Sequence, residues 1–219
     1  QLRGQEVRKR THKDGTGAEL SLAGVVDTQA FSGKSLVLTI DERIQAIADE
    51  QLARGVKEAK GDRGVAIVLD VHTAEVLAMS VAPRLDPGDR RHRPRFGWRN
   101  PAIQDQFEPG STMKVFTLAA GLEEGVIKLS SHFKTGRKLK VGRWSIRDHH
   151  AHEGVSALEM VKVSSNIGAA KIAFRIGART LWRYLDQLGF GRPTEIGLAG
   201  EIGGLLPSQG DWKRIRLAT

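Results

Sequence analysis

Two apolar runs, Gly64-Val65-Ala66-Ile67-Val68-Leu69-Asp70 and Glu75-Val76-Leu77-Ala78-Met79-Ser80, are separated only by Val71-His72-Thr73-Ala74. Short runs rich in Val, Ile and Leu read as strands, and so brief a polar connection lets them pair only as an antiparallel hairpin. A lone hairpin buries little, so the rest of the chain must cover it. Upstream, Asp41 can cap a helix in which Ile44, Ile47, Ala48, Leu52, Ala53 and Val56 share one face, ending near Gly61. Ser35-Leu36-Val37-Leu38-Thr39-Ile40 is expected to add a third strand.

Downstream, Phe107-Glu108-Pro109-Gly110 stops any extended segment and Ser111 opens a helical pattern to about Glu124. Residues 131–155 are basic and read as irregular, with room for a small hairpin. Helical patterns return at Ser156–Val163, Asn166–Ile176 and Arg179–Leu188, and Gly189 to Pro207 reads as a Gly-rich loop. This order predicts an α+β fold with helices packed on an antiparallel sheet. Two or three strands are few for so many helices, so the sheet is expected to be incomplete, with further strands beyond Thr219. Residues 1–34, polar and turn-rich, read as the tail of a preceding non-catalytic module or a linker, and 35–219 as the folded domain.

Composition narrows the chemistry. The chain has no cysteine, which excludes a thiol nucleophile, a disulfide framework and cysteine-ligated zinc. The net charge of +9 suits a polyanionic neighbour such as nucleic acid, an anionic leaflet or cell-wall polymer, and is densest at Arg90-Arg91-His92-Arg93-Pro94-Arg95. Aromatic residues are 5% and do not interleave with these arginines, so a nucleic-acid stacking platform is not supported and no nucleic-acid partner is expected. No apolar run approaches the ~20 residues needed to span a bilayer.

Ser111-Thr112-Met113-Lys114 places a hydroxyl and an amine at i and i+3, on one face of a helix. Serine is a weak nucleophile until a base takes its proton, and a lysine can do so once burial or nearby positive charge favours its neutral form. The spacing alone is uninformative: a capping serine would give it, and a second copy, Ser131-His132-Phe133-Lys134, runs straight into Thr135-Gly136 without a helical sequel. Ser164-Ser165-Asn166, between two helical patterns, supplies a second hydroxyl and an amide that can face the same cleft, or else an N-cap cluster for the following helix.

Ser-x-x-Lys followed by Ser-x-Asn resembles the penicillin-binding proteins and serine β-lactamases. The likeness extends to Val37-Leu38-Thr39-Ile40-Asp41 with Ile44-Gln45, to Arg99-Asn100-Pro101-Ala102-Ile103, and to Phe107-Glu108-Pro109-Gly110 ahead of Ser111. It includes Ile146-Arg147-Asp148, Ile167-Gly168-Ala169-Ala170-Lys171 and Leu188-Gly189-Phe190-Gly191 with Gly200-Glu201. The resemblance is to the monofunctional (class B), division-type members and covers about 35–219, the N-terminal part of a transpeptidase domain.

The resemblance implies a peptidoglycan D,D-transpeptidase, a target of β-lactams, with catalytic residues Ser111, Lys114, Ser164 and Asn166. Ser111 would attack the D-alanyl carbonyl of a stem peptide and Lys114 would take its proton. Ser164 would shuttle a proton to the leaving group, and Asn166 would contact the acyl-chain amide. No cofactor and no metal are implied. The implied partners are peptidoglycan stem peptides and β-lactams, with a membrane glycosyltransferase and divisome or elongation proteins for the parent. The implied location is the extracytoplasmic face of the bacterial inner membrane, with the anchor outside this chain. The family's third motif, Lys-Thr/Ser-Gly on a strand, follows the second. Here the one Lys-Thr-Gly, 134–136, precedes it in flanks that do not read as strand, so the true motif is expected past Thr219 and acylation by this chain alone to be weak.

Three rivals stand beside this reading. Asp148-His149-His150-Ala151-His152-Glu153 is dense enough in ligands for a divalent ion but lacks a helical H-E-x-x-H spacing. A β-lactam sensor or β-lactamase would share the same core. A basic nucleic-acid-binding or non-catalytic scaffold module would rest on charge alone.

Overall fold

The structure is a computed structural model that describes residues 12–13, 16, 19–20, 35–84 and 99–212. The expected linker and the arginine run at 90–95 lie almost wholly outside the described residues. Within the former, His12–Lys13 (β1) pairs antiparallel with Glu19–Leu20 (β2). The chain divides into two units, Gln1–Asp86 and Pro87–Thr219.

In the first unit a helix, Glu42–Glu58 (α1), covers the hairpin of Gly64–Leu69 (β3) and Val76–Ala82 (β4), which pair from Gly64↔Ala82 to Leu69↔Val76. Asp41 starts the helix as expected, its carboxylate accepting from the amides of Arg43 at 2.9 Å and Ile44 at 3.0 Å. Ile44, Ala48, Leu52 and Val56 form the half-buried face, whereas Ile47 is 60% exposed and Ala53 is exposed. A two-stranded ribbon is too narrow to cover the whole apolar sector that periodicity marks out.

Gln45, a polar residue on that face, fastens helix to strand. Its amide accepts from Met79 N at 2.8 Å and donates to Met79 O at 3.2 Å and Ser80 Oγ at 2.9 Å, so it satisfies backbone groups that β3 leaves open. Residues 35–40 do not form the expected third strand. The segment touches β4 through Thr39 Oγ1 to Val76 O at 2.6 Å, and Asp41 N follows to Leu77 O at 2.9 Å, which is an anchor rather than a ladder.

The second unit carries Pro101–Gln104 (α2), Met113–Glu123 (α3), His132–Gly136 (β5), Leu139–Val141 (β6), Trp144–Ile146 (β7) and His152–Ser156 (β8). Three helices follow: Ala157–Lys162 (α4), Asn166–Ile176 (α5) and Ala178–Gln187 (α6). The stretch 131–155, expected to be irregular with room for a small hairpin, contains that hairpin and is otherwise more strand than expected. β5 pairs with β8 and β6 with β7, both antiparallel. The β5–β8 partners are distant in sequence, and runs of three to five residues are too short to show a period.

The core of this unit gathers Phe133, Val155, Met160, Ile172, Ala173 and Ile176, with Met160 and Ile172 fully buried. Ile167 and Ala170 close a second cluster with Val141 and Ile146. Each large side chain buried in this way stabilises by roughly 1.5–3 kcal/mol. Both clusters lie along α5, which also packs on α3, so α5 is held along its length by two sets of contacts. The expected α+β class is the class observed, with two strands in every described sheet. Among the described residues no helix is long and apolar enough to cross a membrane.

Candidate active site

Ser111 enters its helix through a sharp turn. Gly110 takes φ +60, a conformation costly for side chains with a Cβ, and the chain passes through a short 3-10 turn, Gly110–Thr112, into α3. Ser111 is not a capping serine. Neither the 3-10 turn nor α3 has a side-chain cap, and the Ser111 hydroxyl instead faces Lys114.

Lys114, one helical step on, is buried at 9% exposure, with its amine among four oxygens. Nζ lies 3.1 Å from Ser111 Oγ, 2.9 Å from Ser164 Oγ, 2.6 Å from Ser164 O and 2.6 Å from Asn166 Oδ1. Ser164 Oγ in turn donates to Ser111 Oγ at 3.0 Å, which closes a triangle of two hydroxyls and one amine.

The second half of the site is the turn between α4 and α5, where the serine triplet divides its work. Ser165 is the N-cap of α5, its hydroxyl accepting from Gly168 N at 2.9 Å. Ser164 and Asn166, on either side of it, face Lys114. Ser164 holds φ +53, a left-handed conformation that costs a non-glycine residue roughly 1–2 kcal/mol. Its backbone is tied down by Ser164 N to Val161 O at 3.1 Å and Ser165 N to Met160 O at 2.9 Å. Asn166 Nδ2 donates to Arg147 O at 2.9 Å, which leaves Oδ1 to accept from the lysine.

Burial pushes the Lys114 amine below its ordinary value of 10.5, and the negative charge of Asp148 opposes that shift. A lysine so depressed reaches its neutral form at lower pH than a free one. Its lone pair can then take the Ser111 proton across the existing 3.1 Å contact.

The Ile146-Arg147-Asp148 stretch belongs to this site more closely than its sequence indicates. Asp148 accepts from Ser165 Oγ at 2.7 Å and from Ile167 N at 2.9 Å. In the sequence it stood out only through the family likeness, with no role attached, and as the first residue of the ligand-rich stretch 148–153. Each of its carboxylate oxygens thus takes one hydrogen bond from the α5 N-terminus, and among the described residues no group of three or more His, Asp or Glu is gathered so as to hold an ion.

The second Ser-x-x-Lys copy has no such geometry: Ser131 Oγ accepts from Lys128 N at 2.8 Å, and Lys134 lies on β5. That strand corrects one expectation, since Lys134-Thr135-Gly136 does sit on a strand, paired with β8. Its lysine lines a depression with Lys171, Phe174 and Arg175 to which none of the four clustered groups contributes, and its place ahead of the second motif is unchanged. A larger cleft in the first unit, about 730 Å³ between α1 and the end of β4, holds none of the four.

Comparison with known proteins places these groups in context. Residues 64–218 match the family described as the penicillin-binding protein transpeptidase domain. The chain is 32% identical over 218 residues to the peptidoglycan D,D-transpeptidase FtsI of Buchnera aphidicola, covering 100% of this chain and 38% of that protein. It is 33% identical over 218 residues to FtsI of Escherichia coli K12, covering 100% and 37%. With the probable peptidoglycan D,D-transpeptidase PenA of Neisseria gonorrhoeae it shares 34% over 188 residues, covering 86% and 32%. The chain thus spans less than two fifths of the length of these relatives.

Among solved structures, a crystal structure described as a peptidoglycan glycosyltransferase from Burkholderia ambifaria matches with a TM-score of 0.75 at 32% identity, over 84% of this chain and 54% of that one. The apo transpeptidase domain of Burkholderia pseudomallei penicillin-binding protein 3 matches at 0.74 and 31% identity, over 83% and 51%. The chain belongs to the penicillin-binding protein transpeptidase domain family.

Proposed function

We propose that this chain carries the acyl-transfer centre of a peptidoglycan D,D-transpeptidase, with Ser111 as the nucleophile. The observation that carries the reading is the closed triangle of Ser111 Oγ, Lys114 Nζ and Ser164 Oγ, with sides of 3.1, 2.9 and 3.0 Å. Neutral Lys114 takes the hydroxyl proton as Ser111 Oγ bonds to the penultimate D-alanyl carbonyl carbon of a stem peptide. The tetrahedral intermediate collapses with loss of the terminal D-alanine, whose nitrogen is protonated from Lys114 through the Ser164 hydroxyl. An amine from a neighbouring stem then attacks the ester, gives up a proton by the reverse route and releases Ser111. The Ser111 backbone N–H supplies part of the oxyanion site, and Asn166 holds the lysine and contacts the acyl-chain amide.

A β-lactam acylates Ser111 as a substrate mimic, its ring opening in place of departure of the D-alanine. No Lys-Thr-Gly or Lys-Ser-Gly follows Asn166 in the chain, so tested as it stands it acylates slowly. The relatives named peptidoglycan D,D-transpeptidases favour the same chemistry. For the parent protein, a location at the outer face of the inner membrane and a glycosyltransferase neighbour are proposed on the family resemblance alone. The glycosyltransferase description of one structural neighbour points elsewhere, but two hydroxyls, an amine and an amide gathered on one serine are suited to activating it for acyl transfer.

The test is intact mass after long incubation with penicillin, on this chain and on Ser111→Ala. The expected result is a slow adduct on the first and none on the second. An adduct retained by Ser111→Ala removes the assignment, and rapid turnover of a chromogenic cephalosporin reassigns the centre to hydrolysis.

A further inference from the structure

The turn that brings Ser164 and Asn166 to Lys114 is strained and lies at the start of a helix, so something must hold it. The backbone bonds of Ser164 and Ser165 tie it to α4 behind. On the other side it meets one short segment, Arg147-Asp148, which leaves β7 and crosses the N-terminus of α5. Three consecutive residues of the turn bond to that segment: Ser165 through its hydroxyl, Asn166 through its side-chain amide and Ile167 through its backbone amide.

We propose that Asp148 is a positioning residue, whose carboxylate fixes the Ser164–Asn166 turn in the register that presents Ser164 Oγ and Asn166 Oδ1 to the Lys114 amine. One carboxylate oxygen takes Ser165 and the other takes Ile167, so the two residues flanking Asn166 are clamped to a single rigid group. The carbonyl one residue earlier then fixes which way the Asn166 amide faces. A bidentate, charged acceptor suits the task, because hydrogen bonds to a carboxylate are shorter and stronger than those to a neutral oxygen. An amide at this position keeps one acceptor but cannot also take the Ser165 proton. The same charge bears on Lys114 and opposes the effect of its burial, so clamp and lysine are linked electrostatically as well as sterically.

The significance of the clamp rests on the transpeptidase reading, but its test does not require acylation. The whole chain, with labelled lysine and asparagine side chains, is followed by NMR as wild type, Asp148→Asn and Asp148→Ala. The readouts are hydrogen exchange of the Asn166 side-chain amide and the pH midpoint of the Lys114 ε-carbon. Loss of two charge-assisted bonds is expected to speed Asn166 exchange about tenfold or more in Asp148→Ala, and loss of one to speed it less in Asp148→Asn. Both variants also lower the Lys114 midpoint through loss of the nearby negative charge, so the Asn166 exchange rate is the readout specific to the clamp.

An Asp148→Asn protein that melts like wild type and shows no faster Asn166 exchange overturns the proposal, whether or not Asp148→Ala folds. Absence of any penicillin adduct on the wild-type chain, with both NMR changes present, would count against the acyl-transfer reading and leave the clamp standing.

Discussion

Ser164 Oγ donates to Ser111 Oγ across 3.0 Å although 53 positions separate the two residues. Each hydroxyl also contacts the Lys114 amine, so Ser111 has both an amine and a second hydroxyl within hydrogen-bond reach. Ser111 lies on α3's entry and Ser164 on the turn into α5, and these two helices pack directly on each other. The contact therefore depends on helix packing, and its perturbation can be read separately from that of the serines themselves.

Ser164 offers a way to separate hydroxyl chemistry from backbone strain. Ser164→Ala and Ser164→Gly both remove the relay hydroxyl and should slow acylation by about 10²-fold or more, the usual scale for lost proton-transfer assistance. Because φ is +53, glycine relieves the strain that alanine keeps. The glycine variant should be the more stable by about 1 kcal/mol, measured from urea unfolding midpoints. Equal stability would show that the turn is not strained.

Lys114 sets the pH response. Its folded-state pKa is depressed by burial, so between that value and 10.5 the unfolded chain binds more protons than the native one. Stability contributed through this group therefore rises with pH across that window, and the cost of burying the charge applies in full below it. Unfolding midpoints of the wild type should gain on those of Lys114→Met as pH is raised towards 10.5, and the acylation rate of the wild type should rise over the same direction. A flat difference between the two proteins would show that the amine stays charged.

Gly168 connects core packing to the site. A Cβ there would lie 2.8 Å from Met160 Cγ, 3.1 Å from Ser165 Oγ and 3.1 Å from Val155 Cγ2. Gly168→Ala is expected to destabilise by about 1–3 kcal/mol, the range for overpacking, and to slow acylation because Ser165 must give way. Thermal melts and penicillin labelling measured on the same variant check both.

The histidine-rich stretch at 148–153 supplies a negative control for metal chemistry. Its aspartate is already bonded to Ser165 and Ile167, so dialysis against a chelator should leave melting temperature and labelling rate unchanged. A loss restored by zinc would contradict this.

What was legible beforehand follows from how local each signal is. The β3–β4 hairpin, the Asp41 cap and the three helices ending the second unit were readable because spacing and capping act within a few residues. The likeness to a known family supplied the pairing of Ser111–Lys114 with Ser164–Asn166, which no local pattern contains.

Tertiary structure alone decided the rest. Whether Ser111 capped a helix or faced an amine, and how Ser164, Ser165 and Asn166 divided capping from contact with Lys114, depended on α3 meeting α5. The strand at 132–136 exists because 152–156 pairs with it, and Ile47 is exposed because the ribbon beneath α1 is narrow. Asp148 acquires its place only when β7 ends beside the first turn of α5. Local preferences are set by neighbours along the chain, whereas these outcomes are set by which distant surfaces exclude water together.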